Sequence, residues 1–191
     1  MSTITKGLSV EDYEAMVDSG ILPETNRFEL IEGRIVEKDV KSPEHSAGSE
    51  GCWRVIDRAL PPGWHVRIEK PVRIPNRASE PEPDVSVARG AWRDYARRHP
   101  GPQDLALVVE ITRTTAAKDR ALARVYGPGG IPVYWIVNVP DRQLEVYADP
   151  VAGAYPPPVI LGEADSVDLV IAGAVVGRIA VADLLPPPDE G

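Results

Sequence analysis

Two apolar runs, LALVVEIT at 105–112 and VYWIVNV at 133–139, limit what this chain can fold into more than any other feature. Each is nearly continuous in apolar residues, the pattern of a strand covered on both faces. Between them TTAAKDRALARVY, at 114–126, puts Leu122, Val125 and Tyr126 on one stripe. That spacing predicts a helix, capped by Thr114 or Thr115 and ended by GPGGIP. Two buried strands joined through a helix make a parallel crossover, so the core is a sheet with at least one helix packed on it.

The rest of the sequence supplies partners for that core. LSVEDYEAMVDSG reads as a first helix, with Ser9 as N-cap and Gly20 as its stop. RFELIEGRIVEK reads as two short strands around Glu32-Gly33. Ser42-Pro43 opens a second helix, with Cys52, Ile56 and Leu60 at helical spacing and Gly48 and Gly51 weakening its middle. Trp64, Val66 and Ile68 alternate with His65, Arg67 and Glu69, as in a half-buried strand. DVSVA is a further strand, and WRDYARRH a short basic helix. DRQLEVYADP, DSVDLVIAG and VVGRIAVADLLPPP read as terminal β ribbons with a short closing segment. Hairpins mixed with a crossover imply an α/β or α+β domain around a mixed sheet. One domain over residues 1–191 is expected, with an N-terminal helical segment at 1–27 and a C-terminal β extension at 141–191.

Composition narrows the function classes. With 43% hydrophobic and 26% charged residues the chain is an ordinary globular protein. No apolar run approaches the roughly 20 residues of a membrane span, so no membrane partner is expected. MSTITKGLSVEDY lacks the basic-then-apolar layout of a secretory signal, and the single cysteine, Cys52, agrees with a reducing compartment. A cytoplasmic location follows as the expectation. The net charge of −8 and pI near 4.9 argue against indiscriminate DNA binding. They leave room for an acidic site that presents a cation to phosphate.

Candidate chemistry begins with two carboxylates in apolar company. Glu110 lies inside LALVVEIT, where Leu107, Val109 and Ile111 take one face and Val108, Glu110 and Thr112 the other. Buried there and ionised, it needs a partner to offset several kcal/mol or more. Asp84 opens the DVSVA strand in the same manner, so the two acids are expected to converge at one end of adjacent strands. Two carboxylates with backbone oxygen and water suit Mg²⁺ or Mn²⁺. The plainer readings are a loop cap for Asp84 and a buried ion pair or exposed strand end for Glu110.

Lys118 lies one helical turn before Leu122, and side chains lean toward a helix N-terminus, which aims its ammonium at the Glu110 end of the strand. There it orients or deprotonates an attacking water or stabilises a pentavalent phosphate; otherwise it is a surface lysine paired with an acid. Glu29 alternates with Phe28 and Leu30 and is either a third site acid or an exposed strand residue. His45, near the start of the second helix, is either a metal or phosphate contact or a structural histidine. A glycine-rich phosphate loop, a cysteine zinc site, metalloprotease histidine spacing and a nucleophile elbow are all missing from the sequence.

In order, RFELIEGRIVE, SPEH, PEPDVSV, LVVEIT, TTAAKDRALARVY, GGIPVYWIVN and RQLEVYADP resemble the Uma-type restriction endonuclease family of the PD-(D/E)XK nuclease superfamily. The resemblance runs from about Phe28 to VADLLPPP. It implies a restriction-endonuclease-like core: a central mixed β-sheet flanked by helices, with additional β-hairpins. It also implies a Mg²⁺- or Mn²⁺-dependent DNA endonuclease and a homodimer. Asp84 matches the aspartate of the PD half-motif and Glu110 the acid opening the second half, both as metal ligands. Glu29 matches the glutamate of the family hairpin, and His45 the histidine of its S-P-x-H segment, a substrate contact. The superfamily lysine two residues after the acid is Thr112 in this chain, and the alternative helical position is Leu122. Lys118 is the nearest substitute on that stripe, with Arg124 a poorer one. A rival reading is a catalytically impaired relative that binds DNA or a protein.

Overall fold

The computed structural model describes residues 7–22, 27–38, 41–114 and 116–187. The chain opens with helix α1 (Val10–Asp18), held at its start by a reciprocal capping box between Ser9 and Asp12. Strands β1 (Phe28–Ile31) and β2 (Arg34–Glu37) form a hairpin, with Glu32 and Gly33 at φ 48° and 75° as a two-residue primed turn suited to strand twist. Helix α2 (Pro43–Ala59) starts from Ser42, whose hydroxyl accepts the His45 backbone N–H. Then come β3 (Trp64–Ile68), β4 (Val85–Arg89), β5 (Leu105–Thr112), helix α3 (Ala117–Gly129) and β6 (Val133–Asn138). The chain closes with β7 (Gln143–Ala148), β8 (Val159–Gly162), β9 (Ser166–Ile171), β10 (Ala174–Ala180) and the single turn α4 (Val181–Leu184).

Six strands form the central sheet in the order β3-β4-β5-β6-β7-β8. Only β5 and β6 run parallel, as the crossover through α3 requires; every other pair is antiparallel. All eight residues of β5 are buried. One face carries Val85, Leu107, Val109 and Ile111 and is covered by Cys52 and Ile56 of α2 together with the β9–β10 ribbon. The opposite face carries Val108, Tyr134 and Ile136 under Leu122, Val125 and Tyr126 of α3. The expected mixed sheet, flanking helices and additional hairpins are present. Among the described residues no helix is long and apolar enough to cross a membrane.

Several local expectations are corrected. The N-cap of α3 is Ala116, with no capping side chain; Thr114 lines a cleft instead, and Thr115 lies outside the described residues. GPGGIP ends α3 as expected, but inside the motif and not before it: the helix runs through Pro128 to Gly129 and is capped by Gly130, φ 94°. Close packing explains the glycines, since a Cβ on Gly129 stands 2.6 Å from Ile74 Cγ2. WRDYARRH makes one 3₁₀ turn, Trp92–Tyr95, and no longer helix. Of the ribbons expected after residue 140, β7 joins the central sheet. The unexpected strand β8 follows it there, hidden in the sequence by the prolines at 156–158.

Candidate active site

Register brings the two strand acids together. Val85 of β4 pairs with Val109 of β5, so one step further Asp84 faces Glu110 at the end of the antiparallel ladder. The Asp84 N–H donates to Glu110 Oε2 at 3.4 Å, and Asp84 Oδ2 accepts the Ile111 N–H at 2.8 Å. Its other oxygen, Oδ1, turns outward to His45 Nε2 at 2.7 Å and Lys41 Nζ at 3.0 Å. Asp84 is therefore fixed by backbone on one side and by two basic side chains on the other.

Glu110 is held differently. The Tyr126 hydroxyl, one stripe of α3, donates to its Oε1 at 2.9 Å. Burial pushes its pKa well above the usual carboxylate range, and the neighbouring charges of Asp84, Asp119 and Glu29 add to the effect. Burial also works against charged Asp84, but the His45 hydrogen bond and the Lys41 charge outweigh it and keep its pKa low. Two acids on adjacent strands thus respond in opposite directions.

Glu29 is buried on β1, and the Glu82 backbone N–H donates to its Oε2 at 3.3 Å. Burial raises its pKa, partly offset by that hydrogen bond and by Lys118 and Lys38. The three acids, His45 and Lys118 all line one cleft of about 490 Å³ between α2, α3 and the ends of β4 and β5. Of the candidates proposed from the sequence, only Arg124, the poorer lysine substitute, does not line it; it lies against Glu32. The Lys118 charge acts on the carboxyls of Glu29 and Asp119, among others.

Sequence reasoning passed over four further residues. Asp119 lies in the cleft, and burial with the Asp84 charge lifts its pKa to about 6. Thr112, which stands where the superfamily carries lysine, hydrogen-bonds it. Three residues before Leu122 on the same stripe, Asp119 was detectable by the spacing that singled out Lys118. Lys41 bridges Asp84 and Glu69, the latter at 3.1 Å. Glu69 has a left-handed backbone, φ 50°, a conformation that costs a non-glycine residue roughly 1 kcal/mol and collects at functional sites. One donor atom each from His45, Glu69 and Asp84 falls within 4.8 Å of the others. Glu82 completes the acidic wall and is tied to Lys38 at 2.6 Å.

The donor set fits a hard divalent cation. Carboxylate oxygens dominate it, with one imidazole, and no thiolate is present to favour a softer metal. The raised pKa values of Glu29, Glu110 and Asp119 have a common origin: buried acids short of compensating positive charge.

A mixed sheet with one parallel pair crossed by a helix, and acids gathered where the β4–β5 ladder ends, agrees with the restriction-endonuclease-like fold class that the sequence resemblance implies. Residues 10–181 match the Uma2 family, described as "Putative restriction endonuclease", and the chain belongs to that family. Among solved structures the chain is similar to a protein of Anabaena variabilis described as "a putative nuclease belonging to DUF820". The two share 21% identity over 93% of this chain and 97% of that one, with a TM-score of 0.69, a likeness of fold. No curated protein matches the sequence.

Proposed function

We propose that the protein is a divalent-cation-dependent endonuclease that hydrolyses DNA phosphodiester bonds in this cleft. The observation that carries the reading is the crowding of Glu29, Asp84, Glu110 and Asp119 around one cavity, three of them pushed toward protonation by burial and by each other. Asp84 and Glu110 are the residues to hold Mg²⁺ or Mn²⁺, with Oδ1 of Asp84 the outward-facing oxygen. A bound dication supplies a more acidic attacking water and neutralises charge on the scissile phosphate. Glu29 orients that water, and Lys118 stabilises negative charge on the phosphoryl oxygens. His45 positions Asp84 through its Nε2 and contacts the substrate from the N-terminus of α2, where backbone N–H groups favour an anion. Membership of the Uma2 family supports the same reading. A homodimer is inferred from the family resemblance, and light scattering reads it directly.

Thr112 at the lysine position favours a second reading, a DNA-binding relative without catalysis. Incubating supercoiled DNA with Mg²⁺ or Mn²⁺ separates the two. Nicking by wild type and none by Asp84→Ala supports the endonuclease; equal rates in both sink it. Binding without cleavage moves the protein to the second reading.

A further inference from the structure

A cationic feature lies at the far end of β4 from the cleft. Residues 89–98 contain four arginines and one acid, in a chain whose net charge is −8. The acid, Asp94, is committed locally, accepting the Ala91 N–H at 2.8 Å. Arg98 is paired with Asp104 at 2.6 Å. Arg89, Arg93 and Arg97 are solvent-exposed and have no ion pair among the described residues. Arg67, behind them on β3, also lacks one, and its Nη1 is buried with no hydrogen-bond partner.

Aromatic faces hold most of these guanidinium groups in place. Arg93 lies 4.4 Å from the ring centre of Trp92, and Arg89 lies 4.7 Å from that of Trp64. Arg98 and Arg67 flank Tyr95 at 4.9 and 5.4 Å. Trp92 is itself 65% exposed, an unusual position for so large an apolar group unless it has a task at the surface. A guanidinium resting on a ring loses less freedom when it binds an anion, and its planar fork matches phosphate oxygens. The array therefore combines excess positive charge and preorganised geometry, with Asp104, paired to Arg98, the carboxylate bound into it.

We propose that the outer face of residues 89–97 binds the phosphate backbone of a nucleic acid as a second contact, remote from the cleft. That the partner is DNA rests on the endonuclease reading above. Asp84 and Arg89 are five strand residues apart, about 17 Å at ~3.3 Å per residue. This spans roughly five base steps of duplex at ~3.4 Å each. A duplex along the outer edge of β3 reaches both ends, so the patch anchors DNA whose scissile phosphate lies in the acidic cleft. Beyond Arg97 and Arg98, Glu14 and Asp18 of α1 form the acidic wall of a surface hollow and limit the patch on that side.

The test is fluorescence anisotropy with a labelled 20-base-pair duplex, in EDTA so that no strand is cut, across a salt series. The Arg93→Ala/Arg97→Ala protein should bind about tenfold more weakly near 0.15 M salt, with a log–log salt slope shallower by about 1.8, or ~0.9 per lost phosphate contact. Arg93→Lys/Arg97→Lys should keep the wild-type slope, because charge is retained. Wild-type affinity and slope in the alanine variant overturn the proposal. So does displacement of DNA by poly-glutamate at equal charge concentration, which assigns the patch to an acidic protein surface. Nicking assays in Mg²⁺ read the endonuclease separately. Patch-dependent binding by a protein that never nicks leaves this inference standing and removes that one; nicking by a protein whose binding ignores the patch does the reverse.

Discussion

The Tyr126 hydroxyl donates to Glu110 Oε1 across 2.9 Å, joining helix α3 to the buried acid of β5. Both groups are buried, and burial raises both pKa values, so the phenol stays a donor at any pH the fold survives. Tyr126→Phe removes the donor and keeps the ring. The stranded carboxyl oxygen should lower stability by about 1–3 kcal/mol, read as a shift in urea midpoint with unchanged slope. A midpoint equal to wild type rules out the contact as a stabilising one.

A divalent cation should stabilise the fold, and more strongly at higher pH. Asp119 has a folded pKa of about 6 against an ordinary 3.8, and Glu110 is raised as well. For a raised acid the fold favours the proton, so stability is complete below the ordinary value and falls as pH climbs through the folded one. The metal-free cleft is thus less stable above pH 6, where Asp119 is ionised beside Asp84. Mn²⁺ or Mg²⁺ at 100 times its dissociation constant should add ~2.7 kcal/mol at pH 8. Melting curves at pH 5.5 should show a smaller gain, and Asp84→Asn should lose most of it at both.

Glu80 predicts a separate pH dependence away from the cleft. Its Oε2 is buried without a partner, and burial together with Glu14 raises its pKa from 4.5 to about 8. The same sign holds: its contribution is present below pH 4.5 and lost as pH rises through 8. Glu80→Gln keeps the shape and removes the titration. Urea unfolding at pH 5.5 and 8.5 should show a smaller difference for the variant than for wild type; parallel behaviour contradicts the assignment.

The last turn of α3 needs glycine because it packs closely on the segment around Ile74. Gly129→Ala places a methyl 2.6 Å from the branched, fully buried Ile74 side chain, which has little room to move. A loss of about 1–3 kcal/mol is expected, the usual size of an overpacking penalty. Gly20→Ala meets no neighbouring atom but sits at φ 73°, so any loss there reflects backbone strain alone. Comparing the two melting temperatures separates contact from strain.

Legibility in the sequence followed the range of the interactions. The strands β4, β5 and β6 stood out because each is read from its own apolar run, and Asp84 and Glu110 stood out as exceptions within those runs. Their convergence at one end of adjacent strands was expected from the strand ends alone, whereas the register that pairs them is a property of the folded sheet. Lys41 had no such signal: it lies in a short connection, and its partner Asp84 is 43 residues away. Glu69 was read as one polar position of an alternating strand, yet a left-handed backbone turns it into the site. Asp119 was legible from the same α3 spacing as Lys118, the residue beside it. Helix α3 continued three residues into GPGG before the left-handed Gly130 ended it, because Gly129 is required by packing against Ile74, a tertiary contact.

Lys41 acts as the resident counter-ion of the site. Its ammonium bridges Asp84 Oδ1 and Glu69, and those two charges raise its pKa against the opposing effect of burial. The oxygen it occupies is the outward-facing one, so an incoming dication and Lys41 compete for Asp84 Oδ1. Lys41→Gln should therefore do two opposite things. Without metal, stability at pH 8 should fall by about 1–3 kcal/mol, the scale of a hydrogen bond to a charged group. With metal, the variant should reach half-maximal stabilisation at a lower Mn²⁺ concentration than wild type, because no ammonium must be displaced. A Mn²⁺ titration followed by thermal melting tests both halves at once. If Lys41→Gln needs more Mn²⁺ than wild type, the lysine supports cation binding and the competition is refuted.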